Sequence, residues 1–253
     1  MPFTFAHPVV VVPLKRRFSQ WFNLTALVVG SMSPDFEYFL RLKTHTQISH
    51  TWIGIIIFNL PIVLIVSLLF HQVVKGPLLT HLPRPLSTSF GGAAHQRWIT
   101  FTPRNVLIFL YSALIGILSH LLWDSFTHAN GFFVSLIPSL AYQVNFLGLA
   151  VPVYKFLQHG STIVGLLLLV CFLKACPKRT EFSLIHEIVS STQKACYWSM
   201  VVITALALSV IRLTMWDDVL GIKMIIGTMV VTVISAGMLG ILLASIIVRY
   251  LRA

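Results

Sequence analysis

The sequence predicts an all-α fold: a polytopic membrane helix bundle of about five transmembrane helices, with short interfacial or re-entrant helices beside them. Two observations carry that prediction. Of 253 residues, 57% are hydrophobic and only 10% are charged, whereas soluble domains run at about 45–50% apolar and about 25% charged. The 18 Lys and Arg also sit in short clusters between long uncharged runs, as in the loops of membrane proteins. That clustering argues against a basic, soluble nucleic-acid-binding protein, the other meaning a net charge of +11 could carry. Aromatic and basic residues do not interleave as they do in nucleic-acid grooves, so no nucleic-acid partner is expected.

The elements follow in order. Residues 51–70 (TWIGIIIFNLPIVLIVSLLF) form a charge-free run of 20, enough at about 1.5 Å per residue to cross a hydrocarbon core of about 30 Å. Pro61 should kink this helix without ending it. Further spans are expected near 105–126, 156–173, 195–211 and 224–248. In the last, Ala236, Gly240 and Ala244 recur every four residues and make a small-residue stripe where another helix can approach closely. Residues 22–32 are apolar but too short to cross. Residues 129–154 hold Pro138, Gln143, Asn145 and Pro152. Both read as interfacial or re-entrant pieces. The stretch 73–104, with Lys75, Arg84, Arg97, Arg104 and Gly91-Gly92, reads as a solvent loop. Cys171, Cys176 and Cys196 lie in or beside apolar runs without CxxC spacing, so small packing residues are expected rather than disulfides or zinc ligands. The N-terminus has its positive charges after the apolar stretch, unlike a cleaved signal peptide. One integral membrane domain is expected over 1–253, with the polar site in 1–165 and two further spans in 190–253.

Only seven acids exist, and three of them (Asp35, Glu37 and Asp124) adjoin histidine-bearing segments. In Ser119-His120-Leu-Leu-Trp-Asp124-Ser-Phe-Thr-His128 the His, Asp and His stand at i, i+4 and i+8. Each step of four turns about 400°, so the side chains drift only about 40° per step and share one stripe. Imidazole nitrogen and carboxylate oxygen suit zinc or a related divalent cation. A lone histidine there would more simply cap a membrane helix. The full stripe favours function, because ionisable groups within membranes are costly.

Ser33-Pro34-Asp35 resembles an ordinary helix start, with serine as N-cap and proline at N1. Asp35 alone is therefore balanced between helix-dipole partner and ligand. His50 opens the first span, His120 to His128 close the second, and His159 opens the third. Two crossings return the chain to one side, so His7, Asp35, His50, His120, Asp124, His128 and His159 should meet at one face as metal ligands. Singly, His7 and His159 read more simply as interfacial histidines. His71, His81, His95 and His186 fall on the opposite face and are given no role. Ten Lys and Arg are assigned to that opposite face and eight to the site face. By the positive-inside rule the site should face away from the cytoplasm.

At these residues the chain resembles a bacterial family of multi-spanning proteins, the domain of unknown function numbered 4184. The likeness lies in MPFTFAHP at the start, GSMSPDFEYFLRL at 30–42, SHT at 49–51, SHLLWDSFTHANG at 119–131 and QHGST at 158–162, over about the first 165 residues. The family is similar to membrane-bound metal-dependent hydrolases. These in turn resemble the zinc-dependent phospholipase C and nuclease superfamily, whose His-xxx-Asp helix supplies metal ligands. The resemblance implies a bacterial inner-membrane protein with His120 and Asp124 as ligands. His128 departs from the soluble enzymes' longer Asp-to-His spacing.

The expected function is therefore metal-dependent hydrolysis of a phosphoester at the membrane surface, such as a lipid headgroup, with one to three divalent ions, zinc first among them. Glu37 would orient or deprotonate the attacking water, and Arg41 and Lys43 would hold phosphate. The alternatives are a transporter or ion-binding membrane protein, since ionisable residues on bundle helices also mark ion pathways, and a sensing protein with one bound metal and no turnover. No inverted repeat or paired broken helices support transport. There is no G-x-S-x-G elbow, P-loop or dinucleotide fingerprint.

Overall fold

The computed structural model describes residues 3–83, 86, 98, 101–175, 189–215 and 222–251. Arg84, Gly91, Gly92, His95, Arg97, Cys176 and His186 lie outside these residues. Among them the fold is helical. A 3-10 turn, Thr4–Ala6, leads into α1 (Pro8–Arg17), and α2 (Leu24–Met32) runs into a second 3-10 turn, Ser33–Asp35. Next come α3 (Phe36–Arg41), α4 (Trp52–His81), α5 (Pro103–Thr127), and the short α6 (Phe132–Leu136) and α7 (Pro138–Ala141). A hairpin of β1 (Gln143–Phe146) and β2 (Leu149–Pro152) leads to α8 (Val153–Lys174), α9 (Ser191–Thr214) and α10 (Ile222–Tyr250).

Five stretches are long and apolar enough to cross a membrane: Trp52–His81, Pro103–Leu136, Val153–Lys174, Ser191–Thr214 and Met224–Tyr250. They are the five expected spans, each longer than expected. The largest extension corrects the solvent loop expected from residue 73. Residues Lys75–His81 continue α4, with Lys75 and His81 buried. α4 also carries π-turns at Ile55–Asn59 and Phe70–Val74. The first lies just before Pro61, whose missing N–H cannot complete the ladder, so wider hydrogen bonding there has a local cause.

The stretch 129–154 is two short helices and an antiparallel hairpin, with Val144 opposite Val151 and Phe146 opposite Leu149. Its turn residues, Leu147 and Gly148, both have positive φ (51° and 80°), as a tight two-residue hairpin turn requires. Cys171 and Cys196 are free but exposed on apolar helices, not packed inside as expected.

The chain divides into two compact units. The first comprises Met1–Asp35, Gln47–Leu64 and Phe101–Ala175, and the second Phe36–Thr46, Ile65–Thr100 and Cys176–Ala253. In the first unit, α2 packs along α5 at unusually close range. A Cβ on Gly30 would stand 2.5 Å from the Ala113 carbonyl oxygen, and one on Gly116 2.5 Å from that of Leu27. Only hydrogen fits there. The N-terminal segment docks on α8, where the backbone N–H of Phe3 donates to Thr162 Oγ1 at 3.0 Å. In the second unit, α9 and α10 pack side by side, and the small-residue stripe is at the contact. Ala236 and Ala244 are fully buried, and a Cβ on Gly240 would lie 2.9 Å from Val201 Cα.

Candidate metal centre

Every side chain that forms the centre belongs to the first unit. Asn23 caps α2, its Oδ1 accepting from Ala26 N–H at 3.0 Å, and Thr102 with Pro103 starts α5. The glycine-to-backbone contact of these two helices brings the last turn of α2 against the polar turn of α5. The Ser31 carbonyl there accepts a hydrogen bond from His120 Nδ1 at 2.8 Å. A proton held on Nδ1 leaves Nε2 as a lone pair, and the backbone fixes where it points.

His120 Nε2 stands 3.3 Å from Asp124 Oδ2 and 3.5 Å from Asp35 Oδ1. His50 Nε2 is 3.5 Å from the same Asp124 Oδ2. One donor atom from each of Asp35, His50, His120 and Asp124 lies within 4.8 Å of all the others. These separations are long for hydrogen bonds, which run at about 2.7–3.2 Å. They match the edges of a coordination polyhedron, since two ligand atoms each about 2.1 Å from one tetrahedral cation lie about 3.4 Å apart. Asp35 Oδ1, His120 Nε2, His7 Nε2, Asp124 Oδ1 and His128 Nε2 are all buried without a hydrogen-bond partner. Neither Asp35 nor Asp124 pairs with a Lys or Arg among the described residues. Two buried carboxylates without a cation are costly. One divalent ion would balance both charges, so the donor set fits a metal.

The neighbours of the four complete the picture. Thr4 Oγ1 donates a short hydrogen bond to Asp35 Oδ2, turning Oδ1 toward His120. Ser33 does not cap a helix as its sequence context suggests; its hydroxyl donates back to the Gly30 carbonyl at 3.0 Å. Asp35 is thus held from the N-terminal segment and from α5, and is fully buried. Asn59, in the first π-turn of α4, donates from Nδ2 to the Ser49 carbonyl at 2.8 Å, while Ser49 Oγ lies 3.0 Å from His50 Nδ1.

His7 stacks on His120 with ring centroids 3.9 Å apart, and its Nε2 is 3.8 Å from Asp124 Oδ1. Burial pushes the His7 pKa down to about 3. His128 arrives differently from the stripe the sequence suggests. α5 ends at Thr127 and His128 is extended (φ −119°, ψ 145°), so it leaves the helical phase. Its Nδ1 lies 3.0 Å from the Asp124 carbonyl and 3.7 Å from Asp124 Oδ1.

Three further expected residues are not in that group of four. His159 is exposed on α8 and outside the group of four. Its neighbours do the local work. Gln158 is buried, Ser161 accepts from Trp123 Nε1 at 3.2 Å, and Thr162 anchors the N-terminus. Glu37 and Arg41 belong to the second unit, where Arg41 Nε donates to Glu37 Oε1 at 2.8 Å. Thr4, Ser31, Asn59 and Thr162 carry no site signal of their own in the sequence, although Thr4, Ser31 and Thr162 stand inside the motifs at 1–8, 30–42 and 158–162.

A family model described as a domain of unknown function (DUF4184) matches residues 1–246. The chain belongs to that family. The match runs on past residue 165, where the recognisable motifs end, and takes in most of α10. No curated protein and no solved structure matches the chain.

Proposed function

We propose that this member of the family is a metal-dependent hydrolase of a phosphoester at the membrane surface. One observation carries that reading: the two oxygens of Asp124 face different partners. Oδ2 meets His120 and His50, and Oδ1 meets His7 and His128. Oδ2 with Asp35, His50 and His120 would hold one cation. Oδ1 with His7 Nε2 would offer donors to a second, while His128 approaches Oδ1 through the Nδ1 that donates to the Asp124 carbonyl. Paired cations suit phosphoester hydrolysis, where bound metal lowers the pKa of a water to about 7 and neutralises charge on phosphoryl oxygens.

The chain's own contribution is preorganisation. The Ser31 carbonyl fixes the tautomer and aim of His120, Thr4 aims Asp35, and Asn59 with Ser49 holds the loop bearing His50. Burial keeps bulk water from competing for these donors. Zinc, or a related divalent ion at home with mixed nitrogen and oxygen donors, suits the set.

The test is metal content per chain in purified protein together with hydrolysis of bis(p-nitrophenyl) phosphate. Two bound ions per chain and chelator-sensitive release of p-nitrophenol are expected. A single ion that exchanges freely and crosses sealed vesicles, with no hydrolysis, would replace this reading with transport.

A further inference from the structure

A groove of about 400 Å³ in the first unit lies between the N-terminal segment, with His7 in its lining, and α8. Its walls are apolar: Trp123 of α5 lines it together with Phe156, Gly160, Val164 and Leu168 of α8. Ligand pockets commonly have this size and this composition, with a few polar groups in the lining. The titratable group in that lining is His7, which is nine-tenths buried and has no hydrogen-bond partner on Nε2. That same atom faces Asp124 of the metal centre.

We propose that the groove holds one hydrocarbon chain of a membrane lipid whose phosphate-bearing end is presented to the metal centre. This rests on the hydrolase reading and names its substrate class. Three features favour a lipid chain over a soluble ligand. α8 is itself long and apolar enough to cross a membrane, and groove residues Val164 (56% exposed) and Leu168 (44%) continue onto an exposed face with Ile163 and Leu167. The groove therefore opens where lipid chains already are. From Phe156 to Leu168 the helix rises about 18 Å, a little more than one leaflet's half of a hydrocarbon core of about 30 Å. A single chain inserted from one surface has that reach. Finally, Gly160 leaves the groove wide, since a Cβ there would meet nothing within 4 Å.

Gly160 also supplies the test. A larger side chain at this position fills the groove without touching the fold, and removing a mid-helix glycine favours the helix. The full chain is reconstituted in phosphatidylethanolamine–phosphatidylglycerol vesicles doped with a phospholipid carrying a diazirine in its acyl chain. Photolabelling is then mapped by mass spectrometry. Labelling at Val164 and Leu168 should saturate with probe, while that at exposed Ile203 and Leu206 on α9 should rise without limit. Gly160→Leu should lower the saturable component about tenfold, the loss expected when a couple of buried methylenes are displaced. Labelling on α9 and metal content per chain should not change. Val164→Phe, on an exposed face of the groove, should act in the same direction. Non-saturable labelling in the groove, or cross-links there to a second copy of the chain in place of lipid, would overturn the proposal. If labelling saturates but the protein binds no metal, the groove stands and the hydrolase reading falls. If metal binds but labelling does not saturate, the reverse holds.

Discussion

Two helix pairs in this molecule use one packing device and put opposite things beside it. In the first unit, Gly30 and Gly116 let α2 meet α5 backbone to backbone; in the second, Gly240 with Ala236 and Ala244 lets α10 meet α9. Both contacts bury polar side chains. Along α10 those side chains are satisfied: Tyr197 Oη and Ser245 Oγ lie 3.0 Å apart, and Thr232 donates to the Thr228 carbonyl at 2.8 Å. Beside α5 they are not. The Nε2 of His120 and the Oδ1 atoms of Asp35 and Asp124 converge without hydrogen bonds. Buried polarity that is satisfied holds helices together, whereas buried polarity left open and convergent marks a site.

The sharpest way to break that comparison is to remove the shared ligand. Asp124→Ala should abolish metal binding while the protein stays folded in membranes, as read by metal content and circular dichroism. Ser245→Ala in the second unit should leave metal content unchanged. Retention of full metal in the Asp124 variant would remove the distinction between the two regions.

The packing device can be tested next. Gly116→Leu would drive a side chain into the Leu27 carbonyl and should destabilise by about 1–3 kcal/mol or more. Gly240→Leu should cost a similar amount against Val201. Thermal unfolding should show both losses, but only the Gly116 variant should also lose metal affinity, because it moves the carbonyl that orients His120. Equal effects on metal would mean that the α2–α5 contact does not set the site.

Smaller effects should follow at the positioning hydroxyls. Thr4→Val removes the donor that aims Asp35 and should weaken metal binding by about 10–100-fold, as loss of an outer-shell partner commonly does. Tyr197→Phe removes one satisfied hydrogen bond and should cost about 1 kcal/mol of stability with no change in metal affinity.

What the sequence shows unaided follows the same physics. The five spans are legible because a long apolar run has few other uses, and His120 and Asp124 because their i, i+4 spacing falls inside one continuous helix. The far end of α4 is not legible. Lys75 and His81 look like loop residues, and only tertiary contacts reveal that they are buried. The hairpin at 143–152 hides because its turn places Leu147 at positive φ, where Asn or Asp would have advertised it. The site's supports are hidden for a different reason. Ser31 acts through a backbone carbonyl on His120, 89 positions away, and Thr4 reaches Asp35 across 31. Neither relation leaves a local pattern. His159, expected from the topology of the spans, is exposed on α8, whereas Gln158 beside it is buried.

Whether Asp35, His50, His120 and Asp124 bind a divalent metal is tested most directly by an experimental structure with anomalous scattering measured at the zinc edge. A peak about 2.0–2.2 Å from His120 Nε2 and from an oxygen of Asp124 is the expected result, with a second peak on the His7 side if the Asp124 carboxylate bridges. Protein prepared with zinc that shows no peak there, and carboxylates hydrogen-bonded to water instead, would contradict metal binding at these residues.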